Sequence, residues 1–422
     1  MVGRKVAGKN KGNPLTRRLP RELRSEIGKY MVIFLLLTLT IGLISGFLVA
    51  DGSMLTAYKE SFEKYNIEDG HFVTKKKMNK AQMRDVQEEG ILLYDCWYTE
   101  RVLTGGSTLR IFPMRDEVNK VCLMKGDFPS HLHEIAIDRM YADNNHLSVG
   151  DTIESGKRMW TITGLVALSD YSALFSDNDD AMFDSIRFGV GVVTPEEFET
   201  YPHKDTVYCY AFKYINPPAT EEAEKEISED LMKEVSRTVS LESFVPRYQN
   251  QAIQFTGSDM GSDRAMMLAL LCIIMGIMAF VFAITISNTI SKEAAVIGTL
   301  RAMGYSKAEL IRHYMTMPAL VTLTGALVGN ILGYTYFKEF CADLYYGSYS
   351  LPSYVTIWNG EAFVLTTLIP VVMMLVINLT ILTKRLSLSP LRFIRRDLSS
   401  RRQKRALPLY KGLPFFFDSV SG

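Results

Sequence analysis

Four stretches of this sequence, Tyr30–Ala50, Ala265–Ile290, Tyr314–Phe337 and Ala362–Leu382, are long, apolar and almost free of charge. An α-helix rises about 1.5 Å per residue, so roughly 20 residues cross the ~30 Å hydrocarbon layer of a bilayer. One such run fits a buried core helix or a cleaved leader. Four in one chain confine it to a membrane α-helical bundle of four transmembrane helices. The first run is read as a retained anchor: a long basic segment precedes it, and Val49-Ala50-Asp51-Gly52 offers no small-x-small cleavage site. The apolar fraction of 47% averages over these runs and a remainder that reads as soluble.

Charge sets the orientation. Segments 1–29, 291–313 and 383–422 carry net +7, +2 and +8, while 51–264 and 338–361 carry −14 and −2, adding to the overall +1. Basic and acidic segments alternate along a four-helix path, and the excess of Lys and Arg marks the cytoplasmic side. The expected organisation is a cytoplasmic basic tail (1–29), helix 1 (30–50), an extracytoplasmic α+β domain with stalks (51–264), helix 2 (265–290), a cytoplasmic segment (291–313), helix 3 (314–337), an extracytoplasmic loop (338–361), helix 4 (362–382) and a second cytoplasmic basic tail (383–422). Both termini are then cytoplasmic in a multi-pass protein of the plasma (inner) membrane. The basic tails suit anionic lipid headgroups, and a net charge that cancels gives no ground for a nucleic-acid partner. The last tail ends in Arg401–Arg405 and the apolar Leu413–Phe417. That pattern fits either a tail lying on the bilayer or the approach to a further membrane-associated segment.

In the outer segment, Met54, Tyr58, Phe62 and Tyr65 recur at helical spacing, extending helix 1 as a stalk ended by Asp69-Gly70. Lys80–Glu89 and Thr220–Ser236 read as helices. Glu134–Asp138, Leu147–Ile153, Trp160–Val166 and Val207–Tyr214 read as strands, the middle two paired across Ser155-Gly156. Gln251–Asp263 is a polar lead into helix 2. Cys96, Cys122 and Cys209 are expected as free buried thiols, since no CxxC or Cys/His spacing is present.

Chemical motifs are sparse. The sequence has no GxSxG, HExxH or phosphate-cradling Gly-rich loop, so no catalytic, metal or cofactor-binding residue is assigned, and no ATPase activity is expected of the chain itself. His131 and His133 would share one face of a strand but lack a third ligand. Asp177–Asp180 is a solvated acidic loop without the Gly and closing Glu of a calcium loop. Gly42 and Gly46 in helix 1, and Gly325, Gly329 and Gly333 in helix 3, stand four residues apart, which lets helix backbones approach closely. Lys, Arg, Asp and Glu are missing from the centres of the spans, which argues against a polar path through the bundle.

The cytoplasmic segment 291–313 reads as two short helices around a Gly304-Tyr305-Ser306 corner, with Ala295, Ile297, Leu300 and Met303 as an apolar face and Ser306 as the N-cap of the second helix. Its stretch Ile297-Gly-Thr-Leu-Arg-Ala-Met-Gly-Tyr-Ser306 resembles the signature of FtsX-like permeases, the ABC membrane subunits that include MacB and the lipoprotein-releasing permeases. Glu134-Ile-Ala-Ile-Asp138, with Ala142, Asn145, Leu147 and Val149–Ile153, is similar to the family's extracytoplasmic core domain. Two positions depart from the pattern: Val296 stands where Glu is usual, with Glu293 three residues earlier, and Tyr305 stands where Ala is usual.

The resemblance implies an extracytoplasmic domain of MacB core type and a coupling role for Glu293, Ile297, Gly298, Leu300, Arg301, Ala302, Gly304, Ser306 and Lys307, with Arg301 a charge on the docking surface. The implied partners are a cytoplasmic ABC ATPase, which would bind the ATP, and a second permease module, as homodimer or paired half. The implied activity is mechanotransmission for export or extraction of a peptide, lipid or lipoprotein. The alternative is an FtsX-type regulator or sensor of a cell-envelope hydrolase or signalling partner.

Overall fold

The computed structural model describes residue 24 and residues 26–395. Most of both basic tails, including Arg401–Arg405 and Leu413–Phe417, lies outside the described residues. The chain divides into two compact units. The smaller takes the N-terminal part to Phe34, Met275–Thr324 and the chain from Ile369; the larger takes Leu35–Ile274 and Gly325–Leu368.

Helix α1 (Ile27–Lys64) runs through the first apolar stretch and on into the stalk without a break. It stops before the expected Asp69-Gly70. Asn66 adopts a left-handed backbone (φ 48°), and the Ile67 amide bonds back to the Phe62 carbonyl at 2.9 Å, closing the last turn.

The soluble part of the larger unit is α+β. In chain order it contains β1 (Gly70–Thr74), α2 (Lys80–Gln87), β2 (Ile91–Asp95), β3 (Tyr98–Val102), β4 (Thr108–Pro113), β5 (Val121–Gly126), β6 (Glu134–Asp138), α3 (Arg139–Asn144), β7 (Thr152–Ser155), β8 (Arg158–Leu168), β9 (Phe188–Val193), α4 (Pro195–Glu199), β10 (Thr206–Tyr214), α5 (Glu221–Thr238) and β11 (Leu241–Pro246). The strand order is β11-β1-β10-β3-β4-β9-β6-β8-β5, with β2 also on β10 and β7 on β8. The β4–β9 and β6–β8 pairs are parallel and the others antiparallel.

One core gathers Trp160, Tyr141, Ile137 and Val190; a second packs α2 and α5 on Phe72, Tyr210 and Phe212. Strand β9 is buried at all six residues, so it shows no polar alternation, and Gly189 leaves room for the Tyr141 ring. His131 and His133 lie in a turn rather than on a strand, His133 at φ 66°. Cys96 and Cys209 are buried and Cys122 is half-buried; all three are free.

Helix α6 (Gln251–Lys292) begins at the polar lead, which is helical throughout. Then come α7 (Ala294–Ala302), α8 (Lys307–Leu332), a π turn at Gly333–Phe337, α9 (Lys338–Ser348), α10 (Gly360–Leu386) and α11 (Pro390–Ile394). The segment expected as a loop over 338–361 therefore opens with helix. The wider π turn keeps hydrogen bonding continuous past the apolar stretch, and Tyr349 in an extended conformation ends it. Among the described residues, four helices are long and apolar enough to cross a membrane: α1, α6, α8 with its extension, and α10.

Candidate coupling site

The corner between α7 and α8 is built from local chemistry. Gly304 takes a left-handed backbone (φ 102°); its amide bonds to the Arg301 carbonyl at 3.2 Å and the Tyr305 amide to the Leu300 carbonyl at 3.1 Å. These two bonds form the Schellman motif, whose φ is strained for residues with a side chain. Two residues on, Ser306 and Glu309 form a reciprocal cap. The Ser306 hydroxyl accepts from the Glu309 amide at 3.2 Å, and the Glu309 carboxylate accepts from the Ser306 amide at 2.8 Å. Helix stop and helix start thus follow each other within a few residues.

Packing fixes which face is free. Ala294, Ile297, Leu310, Leu382, Leu386 and Phe393 belong to one buried cluster of the smaller unit, with Leu300 packed at its edge. Gly298 lies on α11: a Cβ there would stand 2.8 Å from Ile394 Cγ1 and 3.1 Å from its backbone nitrogen. The expected apolar face therefore splits. Ile297 is inside, whereas Ala295 and Met303 are exposed, together with Val296, Thr299 and Ala302. Ser306 and Lys307 are exposed at the start of α8. The reason is angular: α11 covers the flank that Gly298 leaves open, and α7 turns that flank inward.

Two polar contacts brace the corner. The Arg301 guanidinium donates through Nη1 to the carbonyl oxygens of Leu386, at 3.0 Å, and Leu388. These are carbonyls at the end of α10, where a cation is favoured. Arg301, expected as a charge on the docking surface, joins α7 to α10 through these bonds. Glu293, at the N-cap position of α7, accepts a hydrogen bond from the Tyr314 hydroxyl of α8 and makes no side-chain cap.

The expected glycines meet across α1 and α8 in the larger unit. A Cβ on Gly329 would lie 2.9 Å from Ile41 Cβ and from the Thr38 carbonyl oxygen, and one on Gly333 would lie 2.9 Å from the Gly42 oxygen. Gly42 and Gly46 receive the Phe337 side chain presented by the π turn. Gly325 accepts at its carbonyl from the Thr38 hydroxyl at 3.5 Å. Above this interface the same unit ties its sheet to the end of α9. Arg139 donates to the carbonyls of Tyr346 at 2.7 Å and Tyr349 at 2.9 Å, and Ser350 donates to the Asp138 carboxylate.

Residues 268–390 match the model of the FtsX-like permease C-terminal domain. The chain carries an FtsX-like permease domain. No curated protein matches the chain. Among solved structures, the periplasmic region of MacB from Actinobacillus actinomycetemcomitans is similar at 9% identity with a TM-score of 0.23, over 42% of this chain and 89% of that one. The permease domain takes in α7, the Gly304 corner, α8 and all of α10.

Sequence reasoning missed Asn330 in this domain. Its Oδ1 accepts from Ser45 at 2.9 Å and Thr366 at 2.8 Å, and its Nδ2 donates to the Ala326 carbonyl and Thr367, joining α1, α8 and α10. A lone Asn in an apolar run was the available signal. Phe393 and Ile394 were also missed, since a five-residue helix leaves no periodicity to read.

Proposed function

We propose that this chain is the membrane subunit of an ABC transporter. In this reading a separate cytoplasmic ATPase docks on the α7 corner, and its conformational cycle is transmitted through the membrane helices to the outer α+β domain, of MacB core type. The carrying observation is the corner itself. Val296 and Met303, 39% and 65% exposed, stand on and at the end of a short helix whose opposite face is buried and whose C-terminal end is closed by hydrogen bonds. A docking surface that must transmit a push has to be stiff, and exposed apolar side chains on a braced helix suit a protein partner.

The charge distribution supports placing the corner and both termini in the cytoplasm and residues 51–264 outside. Transmission rather than passage through the bundle is supported by the lack of ionisable side chains in the centres of the spans. The apolar windows of α6 and α10 are each 28% buried against 61% for α1. Their open faces suit lipid and a second permease module, in an assembly of two modules with two ATPases. The family resemblance supplies the substrate class: a peptide, lipid or lipoprotein.

The test is reconstitution of the full chain with its cognate ATPase. Met303→Asp should abolish co-purification and permease-dependent ATP hydrolysis while leaving the melting temperature of the chain unchanged. Undiminished stimulation by Met303→Asp would remove the docking assignment. A reporter at Asn178 should face outside and one at Ser306 inside; either on the other side would overturn the topology.

A further inference from the structure

The larger unit encloses a cavity of about 70 Å³ just past the end of α1 and beside the start of α6. Glu68, His71, Arg115 and Asp170 line it. Ionised groups taken out of water cost several kcal/mol each unless they are paired, and here each oxygen of Glu68 and Asp170 accepts a hydrogen bond. Glu68 takes the imidazole Nδ1–H of His71 on one oxygen and the Asn119 amide, at 2.7 Å, on the other. Asp170 receives both terminal nitrogens of Arg115, each at 2.7 Å.

The donors are not all engaged. With Nδ1–H bound to Glu68, the second ring nitrogen of His71 has no partner among the described residues, and neither does the hydroxyl of Tyr98, another lining residue. Arg115 Nε is also without an acceptor. Burial lowers the basicity of His71, but the adjacent Glu68 carboxylate more than offsets this and favours the protonated ring, in which Nε2–H is a donor. Burial pushes the Cys96 thiol up to about 12, so it too lines the cavity as a neutral S–H. The exposed Asp177 carboxylate stands at the edge of the chamber, whereas the free groups within it, Arg115 Nε, His71 Nε2 and the Tyr98 hydroxyl, can all donate and match a ligand that brings acceptors.

The chamber has an annex. Tyr98, Arg110, Ser176 and Asp177 also line an open cleft of about 650 Å³, whose further walls carry Glu100, Asp180, Asp184 and Arg187 beside an apolar side made by Met182, Phe188 and Val207. Arg110 is pinned between them by Glu100, the Tyr171 hydroxyl and the Ser176 carbonyl. An apolar cavity of about 150 Å³ takes a benzene ring, so the chamber has room for a carboxylate group and not for a larger body. We propose that the chamber binds the carboxylate of a small organic acid whose apolar chain extends into the adjoining cleft.

Such a ligand would lie against Glu68, Asn178, Asn250 and Ala252, beside the places where both stalks join the sheet. Ser172 donates to the Ala252 carbonyl and to Thr256 of α6, the Gln251 amide donates to Asn178, and Arg247 pairs with Asp69 beside β1. The proposal concerns this chamber alone and stands apart from the ATPase-docking reading.

Calorimetric titration of the full chain in detergent tests it, with acetate, butyrate and butylammonium as probes. Acetate and butyrate should bind saturably, butyrate several-fold more tightly because its chain reaches apolar wall, and butylammonium should not bind. Tyr98→Phe, which removes one oxygen and keeps the ring, should weaken butyrate about tenfold. His71→Gln should weaken it at least as much, and Tyr98→Phe keeps the test decisive if His71→Gln fails to fold. Butylammonium binding as tightly as butyrate, no saturable binding of either acid, or unchanged affinity in Tyr98→Phe would each overturn the proposal.

Discussion

Arg301 and Leu386 join the end of α7 to the end of α10: a guanidinium nitrogen lies 3.0 Å from the last carbonyl of a 27-residue helix. Replacing Arg301 by Ala should cost about 1–3 kcal/mol, the range for losing hydrogen bonds from a charged donor to half-buried carbonyls. Arg301→Glu should cost more, since it sets a negative charge against the negative end of a helix dipole. Chemical denaturation of the solubilised chain measures both. A loss of ATPase docking with full stability in Arg301→Ala would return this residue to the docking surface.

Ile297 and Val296 are neighbours with opposite fates. Ile297 is fully buried, so Ile297→Ala should destabilise by about 2–4 kcal/mol through cavity formation. Val296→Ala should change stability by less than about 0.5 kcal/mol and reduce affinity for the ATPase. Parallel melting and pull-down measurements separate the two effects.

The glycine interface distinguishes neighbouring positions as sharply. Gly329→Leu has to displace Ile41 and the α1 backbone and should prevent stable assembly of the bundle. Leu327, 58% exposed, should accept Ala with little change. Retention on size-exclusion chromatography after extraction reads the outcome, and equal tolerance at both positions would contradict the packing described.

Asn378 is completely buried in α10 with neither amide atom hydrogen-bonded. A desolvated, unpaired amide costs about 1–3 kcal/mol, so Asn378→Leu should raise the melting temperature of the isolated chain. Asn330→Leu, of the same chemistry, should lower it because Ser45 then loses its acceptor and the hydrogen bonds that join α1, α8 and α10 are gone. A drop in both variants would show that Asn378 has a partner in the solubilised chain.

Asp138 should give the sheet a pH dependence. Burial pushes its carboxyl up to about 6, although the Ser350 hydroxyl and the Tyr141 and Met140 amides all favour the charged form. A raised folded-state value means a contribution that is complete below the unfolded value near 4 and lost as pH rises through 6. Wild type should therefore lose up to about 3 kcal/mol relative to Asp138→Asn between pH 4 and pH 8. Matching slopes for the two proteins in that window would refute the assignment.

Helices were legible wherever one solvent, lipid or water, dominated a long window; hence the four apolar runs, Lys80–Glu89 and Thr220–Ser236. Strand β9 was not, because Phe188–Val193 is buried on both faces and gives no alternation. The corner could be located from Gly304 and Ser306, since turn chemistry is local. Which side of α7 faces outward was not legible, because that depends on α11, ninety residues further on. The role of Arg301 was lost for the same reason: a charge in sequence carries no record of the carbonyls it meets.

Where α1 and α8 meet, glycines bring backbone close to backbone and leave notches that side chains fill, Ile41 at Gly329 and Phe337 at Gly42 and Gly46. Two helices keyed in this way cannot slide without lifting those side chains out of their seats. Asn330 adds a polar lock: the hydrogen bonds it accepts from Ser45 and Thr366 are satisfied at one register and broken on either side of it. A joint locked in register carries a displacement of one helix to the other undivided.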